Sequence, residues 1–159
     1  MERIDQIIKH AVYRESLRKI GELEEKRIFC GHDFTHFLDV ARIAYIMNLE
    51  EGAAIPKELI YAAALLHDIG RHEQYLYGTP HHEASAAIAG PILEECGFSK
   101  EEKQIILDAI LEHRTVREKG SRLSAILCRA DKISRPCYKC EAERECNWSL
   151  EKKNRHLQY

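Results

Sequence analysis

His67 and Asp68 directly follow the apolar run AAALL, so an imidazole and a carboxylate stand at the end of a segment that reads as core. A buried ionisable pair is costly unless it is hydrogen-bonded, paired or bound to a metal. Adjacent helical residues are offset by about 100°, so both reach one ion only near a helix end. Taken alone, the pair reads equally well as a structural hydrogen bond between histidine and aspartate. Three other residues change that balance. His36, followed by Val40, lies on the inward side of a helix; His113 closes another; Asp131 ends the apolar run LSAILCRA. Imidazoles and carboxylates on the inward faces of separate helices are how metal sites in helical bundles are assembled.

His36 within HFLDVA, His67-Asp68 within LLHDIGR and Asp131 within RADKIS, in that order, resemble the signature of the HD-domain metal-dependent phosphohydrolases. The resemblance implies an all-α HD-domain helical bundle in which these four residues ligate a divalent ion. It also implies hydrolysis of a phosphoester or phosphoanhydride of a nucleotide or dinucleotide. His82 in HEASAAI and His113 in AILEHR stand where the two-metal branch of the family, which includes symmetrically cleaving diadenosine tetraphosphate hydrolases, places further ligands. His81 is the neighbouring candidate; the position four residues before the Ala86-Ala87 pair favours His82. On this resemblance Asp68 bridges two ions, with His36, His67 and Asp131 on the first and His82 and His113 on the second. Attack by a metal-bound hydroxide follows, because coordination lowers the pKa of water towards neutrality. Ligation by imidazole and carboxylate without thiolate favours iron or manganese, with zinc, nickel, cobalt and magnesium as the other candidates.

Fixed cations stabilise charge on phosphoryl oxygens. Asp68, Arg71 and Lys132 are assigned catalytic roles, and Arg71, Lys132 and Arg114 the binding of phosphate. The ligand neighbours of Arg71 and Lys132 fix where they point, whereas for Arg114 and Arg135 a solvated surface charge is the simpler reading. His32, four residues before His36, either shares that helix face as a proton donor behind the ligands or lies in solvent while Asp33 caps the helix. Three other functions compete with hydrolysis: a nucleotide-binding regulatory module without turnover, a di-iron oxygenase on the same fold and, ranked last, a scaffold whose cysteine tail binds a partner.

Cys137, Cys140 and Cys146 form C-x2-C-x5-C, whose first pair has the spacing of a thiolate metal knuckle. Cys30 is the remote fourth ligand of choice, because Cys96 and Cys128 sit in apolar helical contexts. The expectation is a structural zinc joining the tail to the start of the His36 helix. An iron-sulfur cluster and a redox-active pair are the alternatives.

The elements that must position these residues are helical, since apolar spacing of three and four recurs throughout. Ile4, Ile7, Ile8, Ala11, Val12, Leu17 and Ile20 describe one helix ending near Gly21, and a second covers 33–49 with Phe34, Phe37, Leu38, Ala41, Ala44 and Tyr45 inward. Pro56 opens a third, which Gly70 stops in a left-handed conformation. A fourth covers 83–96 with a kink or break at Pro91, and Gly97 closes it. Ser99 and Glu102 form a capping box for a fifth that reaches His113, and a sixth covers 123–133. Residues 1–135 therefore read as the HD-type domain and 136–159 as a cysteine-containing tail packed on it.

The chain has 159 residues, 24 Lys+Arg and 26 Asp+Glu, a net charge of −2, and 45% hydrophobic residues with eight Gly and four Pro. Those values exclude collagen-like and wholly disordered classes. The absence of a basic excess argues against a nucleic-acid binder, although local cations suffice for a small nucleotide-like substrate. The longest uncharged run, 59–66, is far shorter than the roughly 20 residues that span a bilayer. With no export signal at the N-terminus, a cytoplasmic location is expected, without a membrane partner. A homo-oligomer is compatible with everything above.

Overall fold

The computed structural model describes residues 1–113 and 120–159. Its described residues form eight α-helices and no strand: α1 (Glu2–Lys9), α2 (Ala11–Glu24), α3 (Phe34–Glu50), α4 (Lys57–Leu66), α5 (Arg71–Tyr77), α6 (His81–Glu95), α7 (Lys100–Glu112) and α8 (Arg122–Ile133). A short 3-10 turn, Cys137–Lys139, follows. None of the helices among the described residues is long and apolar enough to cross a membrane.

The helix around which the others gather is α4. Leu59, Ile60 and 62–66 are all buried, so it is apolar on every side, as a central helix must be. It packs against α1, α3, α6, α7 and α8. Asp33 caps α3 by accepting a hydrogen bond from His36 N at 2.8 Å, and Phe37, Val40, Ala41 and Ala44 bury its inner face. Ser99 and Glu102 form the full capping box on α7.

The predicted first helix is two. His10 is extended (φ −62°, ψ 132°), and its Nδ1 accepts from Val12 N at 3.2 Å, which starts α2 afresh. The break shifts the helical phase, so Tyr13, Ser16 and Ile20 are buried while Val12 is exposed. Pro91 lies on the exposed side of α6, which runs through it, so no break occurs where one was expected.

Gly70 is not a left-handed stop. Its φ is −88°, and it begins α5, a seven-residue helix that the periodicity did not mark. Glycine is required there by proximity: a Cβ would lie 2.4 Å from Ser85 N and 2.6 Å from the carbonyl carbon of Ala84. Gly70 N–H also donates to Ser85 Oγ at 2.9 Å. This contact presses the turn carrying His67 and Asp68 against the first half of α6.

After α8 the tail folds back onto it. Asn154 Nδ2 lies 2.6, 3.2 and 2.9 Å from the carbonyl oxygens of Lys132, Ile133 and Arg135, which ties the tail to the end of the helix.

Candidate metal centre

Asp68 is fully buried, and five histidines surround it or its neighbour Asp131. Its Oδ2 lies 3.5 Å from His67 Nε2 and 3.5 Å from His32 Nε2. Its Oδ1 lies 3.4 Å from His81 Nε2 and 3.6 Å from His113 Nε2. Asp131 Oδ1 is 3.3 Å from His36 Nε2 and 3.7 Å from His67 Nε2. Two groups of ligand atoms result, each within 4.8 Å of one another: His36, His67, Asp68 and Asp131, and Asp68, His81 and His113. Asp68 belongs to both.

The helices set the rings by their far nitrogens. His67 follows α4, and its Nδ1 donates to the Ala64 carbonyl at 2.7 Å; His113 follows α7, and its Nδ1 donates to the Ile110 carbonyl at 2.6 Å. A backbone acceptor on Nδ1 fixes the proton there and leaves the Nε2 lone pair facing inward, the tautomer a metal needs. His81 Nδ1 is held by Gln74 Oε1 at 3.0 Å, and Gln74 also accepts from Arg71.

The structure brings together His36, His67, Asp68, His113 and Asp131 from the predicted set, and sets His81 where His82 was expected. His82 lies outside both groups, with its Nε2 3.9 Å from Glu83 Oε1. The reason is phase. Pro80 caps α6, which starts at His81 rather than Glu83, and one residue of helix rotates a side chain by about 100°.

A cavity of about 310 Å³ opens beside the centre, lined among others by His32, Arg71, Asp131 and Arg135. Arg71 Nη2 donates to Asp68 Oδ2 at 3.1 Å, as its neighbourhood predicted. Lys132 is exposed, its Nζ 3.3 Å from Cys128 Sγ, and it does not line the cavity. Arg135, read from the sequence as a solvated surface charge, is instead buried, and donates to Asp131 Oδ1 at 3.0 Å and to the Gly31 carbonyl at 3.1 Å. Arg114 lies outside the described residues.

His32 is buried rather than solvated, although Asp33 does cap α3. Its Nδ1 meets Glu24 Oε1 at 2.5 Å and its backbone N–H donates to Glu24 Oε2 at 2.7 Å, while Tyr75 Oη donates to the same carboxylate at 2.5 Å. Neither Glu24 nor Gln74 carries a signal in the sequence. Glu24 reaches His32 from the last residue of α2, and Gln74 sits on the short α5.

Burial would raise the Asp68 pKa, but His67, the nearby His113 ring and the Arg71 charge outweigh it and hold the carboxyl well below its ordinary range. Asp131 is likewise held down, against burial, by His36, His67 and Arg135. His67 is raised: burial opposes its protonation, and Asp68 and Asp131 overcome it. His36, by contrast, is pushed down to about 4, chiefly by burial, and burial also lowers His32.

These two depressed imidazoles set an acid limit. The unfolded chain takes up protons at His36 and His32 as pH falls below about 6.5, whereas the folded chain does not, so stability drops with pH across that window. For His36 the loss ends near pH 4, where the folded state is protonated too, and amounts to roughly 3 kcal/mol. Thermal unfolding of chelator-treated protein should therefore show a lower Tm at pH 4.5 than at pH 7, and His36→Phe should flatten that dependence. An unchanged slope in the variant would contradict this origin.

The donor set fits divalent metal. His36 Nε2, His67 Nε2 and Asp68 Oδ1 are buried without a hydrogen-bond partner of good geometry, and all three point into the centre. Such groups are costly unless something satisfies them. Imidazole with carboxylate and no thiolate suits iron, manganese or zinc.

Comparison with known proteins agrees with this chemistry. The model of the HD domain family matches residues 33–135. An uncharacterized protein of Clostridium beijerinckii is 43% identical over the full length of both chains. Ribonuclease Y of Sulfurovum sp. is 32% identical over 123 residues, which are 77% of this chain and 22% of that protein. The chain thus spans about a fifth of that relative. A crystal structure from an uncultured Thermotogales bacterium, called a predicted HD superfamily hydrolase, superposes with a TM-score of 0.64 at 26% identity, covering 88% of this chain and 80% of that one. With its helical bundle and its buried histidine and aspartate cluster, the chain belongs to the HD domain family.

Proposed function

We propose that the protein is a metal-dependent phosphohydrolase that cleaves a phosphoester or phosphoanhydride of a nucleotide or dinucleotide. The observation that carries this reading is the two-sided environment of Asp68: one oxygen faces His67, the other His81 and His113. That arrangement supports two divalent ions, iron or manganese by preference, sharing one carboxylate, as in the two-metal branch that the sequence resembles. Ions bound there would lower the pKa of water towards neutrality and neutralise charge on the phosphoryl oxygens.

The chain's own residues do the rest. Arg71 and Arg135 each hold a ligand carboxylate with one nitrogen and border the cavity, so a phosphate entering it meets two guanidinium groups already fixed in direction. Gln74 keeps Arg71 and His81 in register from one carbonyl oxygen. Glu24 orients His32, which faces Asp68 from the cavity side. Residues 1–135 would form the catalytic domain, and 136–159 the tail that closes over the cavity.

A screen for product release, resolving nucleosides, nucleotides and inorganic phosphate by chromatography, over mononucleotides, dinucleoside polyphosphates and short oligoribonucleotides with manganese or ferrous iron added, tests the proposal. Release that a chelator abolishes is expected. Arg135→Ala should raise KM and lower kcat/KM by about ten- to a hundredfold while metal stays bound. The likeness to ribonuclease Y makes RNA phosphodiesters the second substrate class, which release from the oligoribonucleotides alone would favour. Tight nucleotide binding without product would favour the regulatory module, and iron-dependent oxygen consumption the oxygenase.

A further inference from the structure

Four of the six cysteines have no part in the centre described above, yet Cys30, Cys137, Cys140 and Cys146 all line the same cavity of about 310 Å³. All are free thiols, half-buried, whereas Cys96 and Cys128 are buried on helices α6 and α8 or at their ends. Backbone hydrogen bonds position three of them. Cys137 N–H donates to the Arg135 carbonyl at 2.9 Å and Cys140 N–H to the Cys137 carbonyl at 3.2 Å, a tight turn that places the first pair together. Cys30 is fixed opposite: its carbonyl accepts from Arg27 Nε at 2.9 Å, and the adjacent Gly31 carbonyl accepts from Arg135.

The spacing of the sulfurs discriminates between groups they could hold. A tetrahedral zinc with Zn–S bonds of about 2.3 Å draws its thiolates to about 3.8 Å from one another. Among the described residues no three thiols fall within 4.8 Å of one another, so no three already stand at the spacing that one zinc imposes. The thiolates of a four-iron, four-sulfide cube stand about 6 Å apart, because each binds a different iron at a corner. Charge points the same way. Such a cluster with four thiolates is dianionic, and Arg27, Arg71, Arg135 and Lys153 line the cavity against Asp131 and Glu143. Phe29 and Trp148 also line the cavity.

We propose that Cys30, Cys137, Cys140 and Cys146 hold a four-iron, four-sulfide cluster beside the His/Asp centre, in place of the single structural zinc that their spacing in sequence suggested. Arg135 links the two sites, since it bonds both Asp131 and the carbonyl next to Cys30. The cluster would share this cavity, lined by Arg71 and Arg135, with the substrate of the phosphohydrolase reading, but its test is separate. Inorganic sulfide is its signature, and the His/Asp centre holds none.

The test is acid-labile sulfide and iron in the full chain, purified anaerobically and reconstituted with iron, thiol and sulfide, with the visible absorption read before and after dithionite. The expected result is about four labile sulfides per chain, with a broad visible band that dithionite bleaches. The double variant Cys137→Ser, Cys140→Ser should lose sulfide and band together, while Asp68→Ala keeps both. Cys30→Ser, which leaves the tail intact, repeats the test should the double variant fail to fold. A wild-type chain with no labile sulfide, whether it carries one zinc or nothing, would overturn the proposal. So would sulfide retained undiminished in the folded cysteine variants.

Discussion

Asp68→Ala should strip divalent metal from both sides of the centre and lower substrate hydrolysis at least about a thousandfold, a loss matching the several kcal/mol that metal assistance supplies. The size of the effect follows from position. Asp68 is common to both groups of ligand atoms, and among the described residues no other carboxylate belongs to the group that holds His81 and His113. Far-ultraviolet circular dichroism should stay helical, because Asp68 caps no helix. Asp68→Asn should behave almost as badly, since an amide retains shape but neither the charge nor the second acceptor oxygen. Full metal content and turnover in Asp68→Ala would place the active centre elsewhere.

The second large effect is expected at Gly70, which touches no substrate. Gly70→Ala drives a methyl to 2.4 Å from Ser85 N and 2.8 Å from Ala84 Cβ, both on α6, and the nearest atoms are backbone that cannot swing aside. Overpacking of this kind costs roughly 1–3 kcal/mol, and the hydrogen bond from Gly70 N to Ser85 Oγ is lost with it. Because His81 lies in the first turn of α6, pushing that helix away separates His81 from Asp68 while leaving His36, His67 and Asp131 in place. Urea unfolding should show a lower midpoint, and metal titration should show one weakened site beside one near-normal site. Equal weakening of both would contradict the role given to the contact.

How much of this was legible beforehand depended on whether local periodicity determined the outcome. His36, His67, Asp68, His113 and Asp131 stand at the ends or on the inner faces of strongly patterned apolar helices, so their convergence could be read directly. The choice between His81 and His82 turned on where α6 begins, and a start two residues earlier at the Pro80 cap rotates the wheel. Arg135 was open to an argument from spacing, because it is four residues beyond Asp131 and falls on the same face, while Lys132 is turned about 100° away. Glu24 and Gln74 left no such trace. Their roles come from tertiary packing: the end of α2 against His32, and a seven-residue α5 too short and polar to show a stripe. His10 and Gly70 show the same limit in the backbone, the first by capping a new helix inside a continuous apolar stripe, the second by serving close approach rather than positive φ.

The central claim is that Asp68 is shared between two metal sites built from this chain's histidines. A crystal grown or soaked with manganese, with diffraction recorded on both sides of the manganese absorption edge, tests it most directly. Two anomalous peaks are expected, one among His36, His67, Asp68 and Asp131 and the other touching Asp68, His81 and His113. A map with no peak at Asp68, or with His82 rather than His81 on the metal, would contradict it.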